Sequence, residues 1–265
     1  MHNDKKTEYP EKESDFIINM MLMFAENMLN NGDEQKAVEQ YKSILELTPN
    51  AEAQYNLASL YAQGRGTYQD FCEAAYWFRQ AEKNGIENAG KMALKCEMDY
   101  IQKYLGLSEC EDLYKKLKMF VERVYSEETA DSKLGHECSM FGVHYINNKH
   151  DYDSAAKLLR TGAVYCKDGW CQNYLGVLYN AGVGVEKNDL ISLYWFDCAV
   201  ENGIEEARVD RDGILDAYLK SLNTDEFKEY MCIIAGWCET GTKDVPKTSS
   251  KVYYWKNIAN GGKWT

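Results

Sequence analysis

Residues 173–184 read Asn173-Tyr174-Leu175-Gly176-Val177-Leu178-Tyr179-Asn180-Ala181-Gly182-Val183-Gly184, and residues 55–66 read Tyr55-Asn56-Leu57-Ala58-Ser59-Leu60-Tyr61-Ala62-Gln63-Gly64-Arg65-Gly66. Leu57 and Leu175, Tyr61 and Tyr179, and Gly64 and Gly182 each stand 118 residues apart. The same offset carries Tyr76-Trp77-Phe78 onto Tyr194-Trp195-Phe196, and Asn84-Gly85-Ile86-Glu87 onto Asn202-Gly203-Ile204-Glu205. Self-similarity held at one fixed offset marks a repeat architecture.

Each copy has a physical reading. Leu57, Leu60 and Tyr61 fall at helical spacing and form one apolar face. Ala58 is small where a neighbouring helix must come close. Gly64 and Gly66 end the helix and turn the chain, because glycine tolerates positive φ. Asp70 is placed to cap a second helix, whose buried face would be Ala74, Trp77, Phe78 and Ala81. Asn84-Gly85 stops it, so the unit is helix, turn, helix, turn.

The rest of the chain agrees. It has only three prolines, Pro10, Pro49 and Pro246, so few helix breakers interrupt it. Leu113, Leu117, Phe120, Val121 and Val124 make one apolar stripe on residues 109–127. Residues 87–104 and 205–222 are also periodic and are related by about the same offset. No alternating strand pattern is present. The reading is all-α: an α/α superhelical solenoid of antiparallel helix pairs, with about thirteen helices as six pairs and a terminal helix. Residues 1–13 are charged and expected to fray. No Gly/Ser/Pro linker interrupts 14–265, so one continuous solenoid is expected there, which grows by stacking units and needs no single central core.

Residues 171–204 resemble the Sel1-like repeat, with its Leu-Gly pair, its Gly-x-Gly-Val loop and its Trp-Phe pair; they depart at Ser192, where that pattern has alanine. Residues 53–86 resemble it with Ala58 for glycine and Thr67 for valine. Residues 230–262 are a degenerate copy carrying Ile234-Ala235, Cys238, Gly241, Trp255 and Ala259, with Lys243 in place of the second loop glycine. Another degenerate unit spans 131–166, with Phe141-Gly142, Tyr145, Ala155-Ala156 and Leu159. Residues 14–49 resemble a tetratricopeptide repeat, through Ala25, Gly32, Ala37, Tyr41 and Pro49. The resemblance implies a non-catalytic protein–protein interaction scaffold.

The net charge is −12 at pH 7, which argues against nucleic acid and anionic membranes, since both need basic patches. A basic protein or peptide partner is compatible with it. No run approaches the roughly 18 apolar residues of a membrane span, and the opening Met1–Asp15 has no apolar signal region. A cytoplasmic protein is expected.

Chemistry is sparse. Gly64-Arg65-Gly66 and Gly182-Val183-Gly184 follow helices rather than strands, so they read as turns and not as phosphate cradles. His136, Cys138, Cys166 and Cys171 lack the usual zinc-ligand spacing, and no metal is expected. The other histidines, His2, His144 and His150, form no nucleophile–base set, with His144 and His150 flanking a predicted turn. No carboxylate pair is singled out for acid–base work. Neither an enzyme, a cofactor nor a small-molecule substrate is expected. The nine cysteines read chiefly as buried, reduced thiols. The alternative is disulfides joining Cys138 to Cys166 and Cys171 to Cys198, since each pair places its members at neighbouring ends of an antiparallel helix pair. The resemblance supports that alternative, because a secreted, cysteine-rich branch of Sel1-like proteins staples its repeats in a similar way.

In stacked helix pairs the first helices line the concave side. By tetratricopeptide spacing, the partner-facing residues would be Tyr55, Ser59 and Gln63 in one unit, and Trp170, Asn173, Val177 and Asn180 in another. The unit between them would offer His136, Ser139 and Val143. Aromatic, amide and apolar groups together suit a protein or peptide. An adaptor is the leading reading; a dedicated inhibitor of a toxin and a secreted, disulfide-stapled effector are the alternatives.

Overall fold

A computed structural model describes residues 11–107, 109–125 and 130–263. Among these residues it contains thirteen α-helices and no strand. The chain divides into two compact units, Met1–Tyr104 with Glu122–Ser126, and Leu105–Val121 with Glu127–Thr265. Unit 1 holds α1 (Glu11–Asn30), α2 (Glu34–Leu47), α3 (Ala51–Gln63), α4 (Phe71–Lys83), nearly all of α5 (Ala89–Leu105) and the last turn of α6 (Cys110–Val124). Unit 2 holds the rest of α6, α7 (Ala130–His144), α8 (Tyr152–Thr161), α9 (Gly169–Ala181), α10 (Asp189–Glu201), α11 (Glu206–Ser221), α12 (Thr224–Thr240) and α13 (Ser249–Ala259). Of the N-terminal stretch 1–13 expected to fray, residues 1–10 lie outside the described residues and Glu11 opens α1.

The architecture is an α/α solenoid of stacked antiparallel pairs: α1/α2 and α3/α4 in unit 1; α7/α8, α9/α10 and α12/α13 in unit 2. α12 and α13 pair over the degenerate copy 230–262, and α11 packs against α10 and α12. In unit 1, Ala25, Ala37, Tyr41, Ile44, Ala53 and Leu57 are fully buried in one cluster. The α6 stripe Leu113, Leu117, Phe120, Val121 and Val124 is buried throughout. Trp77 departs from expectation: it is half-buried at the edge of the unit 1 core, whereas Trp195 at the same repeat position is buried.

Local chemistry repeats with the sequence. Asp70 accepts from the amides of Cys72 and Glu73, and Asn188 from those of Leu190 and Ile191, capping α4 and α10 alike. Asn50 and Asp168 cap α3 and α9 in the same paired way. Gly64 and Gly182 end the first helices at φ 66° and 70°. Gly66 and Gly184 are constrained twice, by φ of 68° and by close approach: a Cβ there would lie 2.4 Å from the Glu34 carbonyl oxygen or 2.2 Å from that of Tyr152. The loop therefore packs on the second helix of the preceding pair. Ser192, the departure from alanine, is fully buried, and its hydroxyl donates to the Gly176 carbonyl at 2.8 Å.

The eroded units reach the same topology by other means. Lys243 removes the second loop glycine, and Thr242 closes the turn instead, its hydroxyl accepting from the amides of Asp244 and Val245. Asp244 is then held by Arg160 at 2.8 Å and by the Tyr179 hydroxyl at 2.6 Å. After α7 and α8 the backbone widens into single π turns, Tyr145–Lys149 and Gly162–Cys166, which end on His150 and Lys167 at φ 53° and 54°. The simple turn expected between His144 and His150 is thus a π turn. Glycine is absent at both ends, where His150 and Lys167 hold the left-handed position themselves.

Candidate partner-binding site

The first helices of the pairs were the expected partner face, and they behave differently in the two units. On α3, Tyr55 is half-buried with its ring edge on Phe78, centroids 5.2 Å apart. Ser59 donates to the Tyr55 carbonyl at 2.9 Å, so its hydroxyl serves its own helix. Gln63 is exposed and accepts from Arg65 at 3.4 Å, while Arg65 also pairs with Glu34. The α3 set is therefore largely engaged within unit 1.

On α9 the outcome is split by repeat position. Asn173 stands 118 residues from Tyr55, and like Tyr55 it turns inward, with 8% exposure. Trp170 and Val177 turn outward at 41% and 42% exposure, and Asn180 is exposed beyond them. Trp170 is supported from one side by Tyr174, centroids 6.0 Å apart. Seven residues separate Trp170 from Val177, about two helical turns, so they lie on one ridge.

α7 packs beside α9, and the Cys171 thiol contacts the Gly135 carbonyl at 3.5 Å. His136 is exposed, Val143 half-buried, and Ser139 buried with its hydroxyl on the His136 carbonyl. The ridge also carries Met140, exposed and absent from the sequence-based set. Its position four residues after His136 and three before Val143 was the available signal. Unit 2 thus exposes Met140, Trp170 and Val177 on two adjacent helices.

The cysteine candidates separate. All nine thiols are free in this structure. Cys138 and Cys166 come together, and Cys171 joins them: a Cβ on Gly162 would meet the Cys171 sulfur and the Cys138 Cβ, and one on Gly135 would meet the Cys166 Cβ at 3.2 Å. Cys198 lies elsewhere, beside Tyr194 and Lys251. Burial pushes the Cys138 and Cys171 thiols well up, and those of Cys166 and Cys198 to about 12. These are packed, weakly nucleophilic thiols.

No group of three or more His, Cys, Asp or Glu that could hold a metal ion occurs among the described residues. An open groove of about 570 Å³ in unit 2 has Lys157, Arg160 and Lys243 on its lining with Glu109, Asp112 and Asp153. Arg160 on that lining is occupied by Asp244 and Tyr179. Within these residues no helix is long and apolar enough to cross a membrane.

The family model for the Sel1 repeat matches residues 51–86 and 171–204. These two segments are Sel1 repeats. They coincide with α3/α4 and α9/α10, the pairs with the shared caps and loop glycines. The Sel1 and tetratricopeptide kind of helical repeat is a scaffold for protein–protein interaction. Two solved structures are similar to the chain. One is a protective antigen of uropathogenic Escherichia coli described as displaying an SLR fold, 19% identical, with a TM-score of 0.36; the match covers 94% of this chain and 54% of that one. The chain therefore spans about half the length of that protein. The other is a Sel1 repeat protein from Oxalobacter formigenes, 19% identical, with a TM-score of 0.29, covering 92% of this chain and 87% of that one. No curated protein matches the chain significantly.

Proposed function

We propose that this Sel1-repeat protein is an adaptor that holds a basic protein or peptide along α7 and α9, and that it works in the cytoplasm. The observation that carries the reading is the exposure of Trp170 and Val177 on one ridge of α9, with Met140 on the helix beside it. Exposed apolar groups gathered on packed helices, and tryptophan in particular, are what protein contacts use. The net charge of −12 favours a basic partner through steering and complementarity. The groove near Arg160 is open and mixed in charge, and no small-molecule ligand is assigned to it. The free thiols favour a reducing compartment.

The test is photo-crosslinking from a benzophenone residue placed at Val177 in the cell of origin, with a Trp170→Ala/Met140→Ser variant in parallel. Capture of several proteins that the variant loses supports an adaptor. A single, strongly basic captured protein supports the dedicated inhibitor instead. Equal capture by the variant would sink this site.

A further inference from the structure

A second candidate surface lies in unit 1, on α1. α1 is apolar on two opposite sides. Ile18, Leu22 and Ala25 are buried in the unit 1 core, with Met21, Met28 and Leu29 packed around them. At about 100° per residue, Phe16, Ile17, Met20, Met23 and Phe24 fall on the other side of the helix. There they are exposed by 65%, 42%, 41%, 70% and 53%. Five large side chains at i, i+1, i+4, i+7 and i+8 repeat the pattern by which a helix buries itself against another helix. Scattered surface hydrophobics need no explanation, but a continuous stripe of this kind is a contact surface.

The charges beside the stripe select the occupant. Asp15 and Glu26 are exposed, and the helical wheel puts them along one edge of it with the polar Asn19 between. Among the residues whose side chains the structure describes, from Ser14 onward, neither carboxylate has an ion-pair partner. A second copy of the chain laid antiparallel on α1 would bring this acidic edge against its own counterpart, because in antiparallel helix pairs like edges meet. A bilayer with anionic headgroups would meet the same carboxylates. A helix whose apolar stripe is bordered by Lys or Arg matches both the apolar pattern and the charge.

We infer that the exposed face of α1, formed by Phe16, Ile17, Met20, Met23 and Phe24, docks an amphipathic helix of a partner protein with basic residues flanking its apolar stripe. The site is independent of the α7/α9 face, so a chain with both is bivalent and joins two partners.

The experiment uses the full chain and three synthetic peptides of about 18 residues, long enough for a marginal helix to fold on contact. One has a leucine stripe with lysine edges, one the same stripe with glutamate edges, and one the lysine peptide scrambled so that no stripe forms. Fluorescence anisotropy gives affinities, and the methionine methyl NMR signals report the location. The expected result is that the lysine-edged peptide binds about tenfold or more tightly than either control, shifting Met20 and Met23. Met20→Gln/Phe24→Gln, both exposed, leaves helix content unchanged and lowers that affinity about tenfold or more. Asp15→Lys/Glu26→Lys moves the preference to the glutamate-edged peptide. Trp170→Ala leaves all of this unaltered, so failure of the α7/α9 reading and failure of this one are told apart. Four results overturn the inference: equal binding of the scrambled peptide, unchanged binding by Met20→Gln/Phe24→Gln, a chain that is dimeric until those substitutions are made, or binding of the chain to zwitterionic vesicles abolished by them.

Discussion

Asn202 donates from Nδ2 to Gln172 Oε1 at 2.8 Å, and Asn84 makes the same bond to Gln54 at 2.8 Å, 118 residues earlier. In each Sel1 repeat the residue that ends the second helix thus reaches back to the first turn of the first helix and closes the pair. Gln172 is buried, with 4% exposure. Asn202→Ala removes its donor and leaves a buried acceptor unpaired, which costs about 1–2 kcal/mol. Urea unfolding checks this. A double-mutant cycle with Gln172→Ala should return a coupling of about 1 kcal/mol, and additivity would show that the bond contributes nothing.

That bond also separates what was legible in the sequence from what was not. Asn84-Gly85 and Asn202-Gly203 stood out because they recur at a fixed offset and stop a helix, as did the loop glycines and Asp70. Gln54 and Gln172 share the offset, but a glutamine on a helix has no local signature, so their role waited for the packing. Asp244 was hidden for a different reason: its partner Arg160 lies 84 residues away, and only the folded chain brings them together. At the candidate site, tetratricopeptide spacing singled out residues on α3, α7 and α9 but did not tell which side of each helix faces solvent: Tyr55 and Asn173 share a position that turns inward, while Met140 on α7 turns out.

Gly184 and Gly203 give a controlled comparison. Both have positive φ, 68° and 85°. An added Cβ meets the Tyr152 carbonyl at Gly184 and nothing within 4 Å at Gly203. Gly203→Ala should cost only the conformational term, about 1–2 kcal/mol. Gly184→Ala adds backbone displacement to that term, for a total of about 2–5 kcal/mol. Equal losses in urea would remove the close approach as the reason for the second loop glycine.

Asp197 and Arg79 occupy the same repeat position with opposite charge, and each anchors its helix to the next. Arg79 forms a two-pronged pair with buried Glu97 at 3.0 and 3.1 Å. Asp197 is buried between Lys251 and Arg211, and also accepts from the Tyr254 hydroxyl at 3.1 Å. Asp197→Leu removes the buried carboxylate that both cations share and leaves them the more exposed partners Asp212 and Glu201, so it should cost about 3–5 kcal/mol. Adding Lys251→Met should recover a large part of that loss, which chemical denaturation of the single and double variants measures. A double variant no more stable than the single one contradicts the account.

His150 and Lys167 hold left-handed backbone without glycine, at φ 53° and 54°. That conformation costs an L-residue about 1–2 kcal/mol, and glycine returns part of it through greater freedom in the unfolded chain. His150→Gly and Lys167→Gly should each stabilise the protein by about 0.5–1 kcal/mol, a rise of about 1–4 °C in Tm for a chain of this size. A drop in Tm for both would mean that the side chains make contacts outweighing the strain.

The thiols decide between a reduced and a stapled solenoid. Cys232 is exposed, whereas Cys138, Cys171 and Cys198 are buried and burial raises their thiol pKa values. Alkylation depends on the thiolate and on access. At pH 8 the native protein should therefore react first at Cys232, with the three buried thiols untouched until denaturant is added. Unfolding without reductant should release all nine thiols of the free-cysteine structure. A count of about five, with Cys138–Cys166 and Cys171–Cys198 recovered as cross-linked peptides, would establish the stapled form and move the protein to an oxidising compartment. The packing makes one intermediate result informative as well. Cys171 neighbours Cys138 more directly than it does Cys198, so oxidation of the folded protein that produced a Cys138–Cys171 bond would report this native cluster rather than a staple within each repeat.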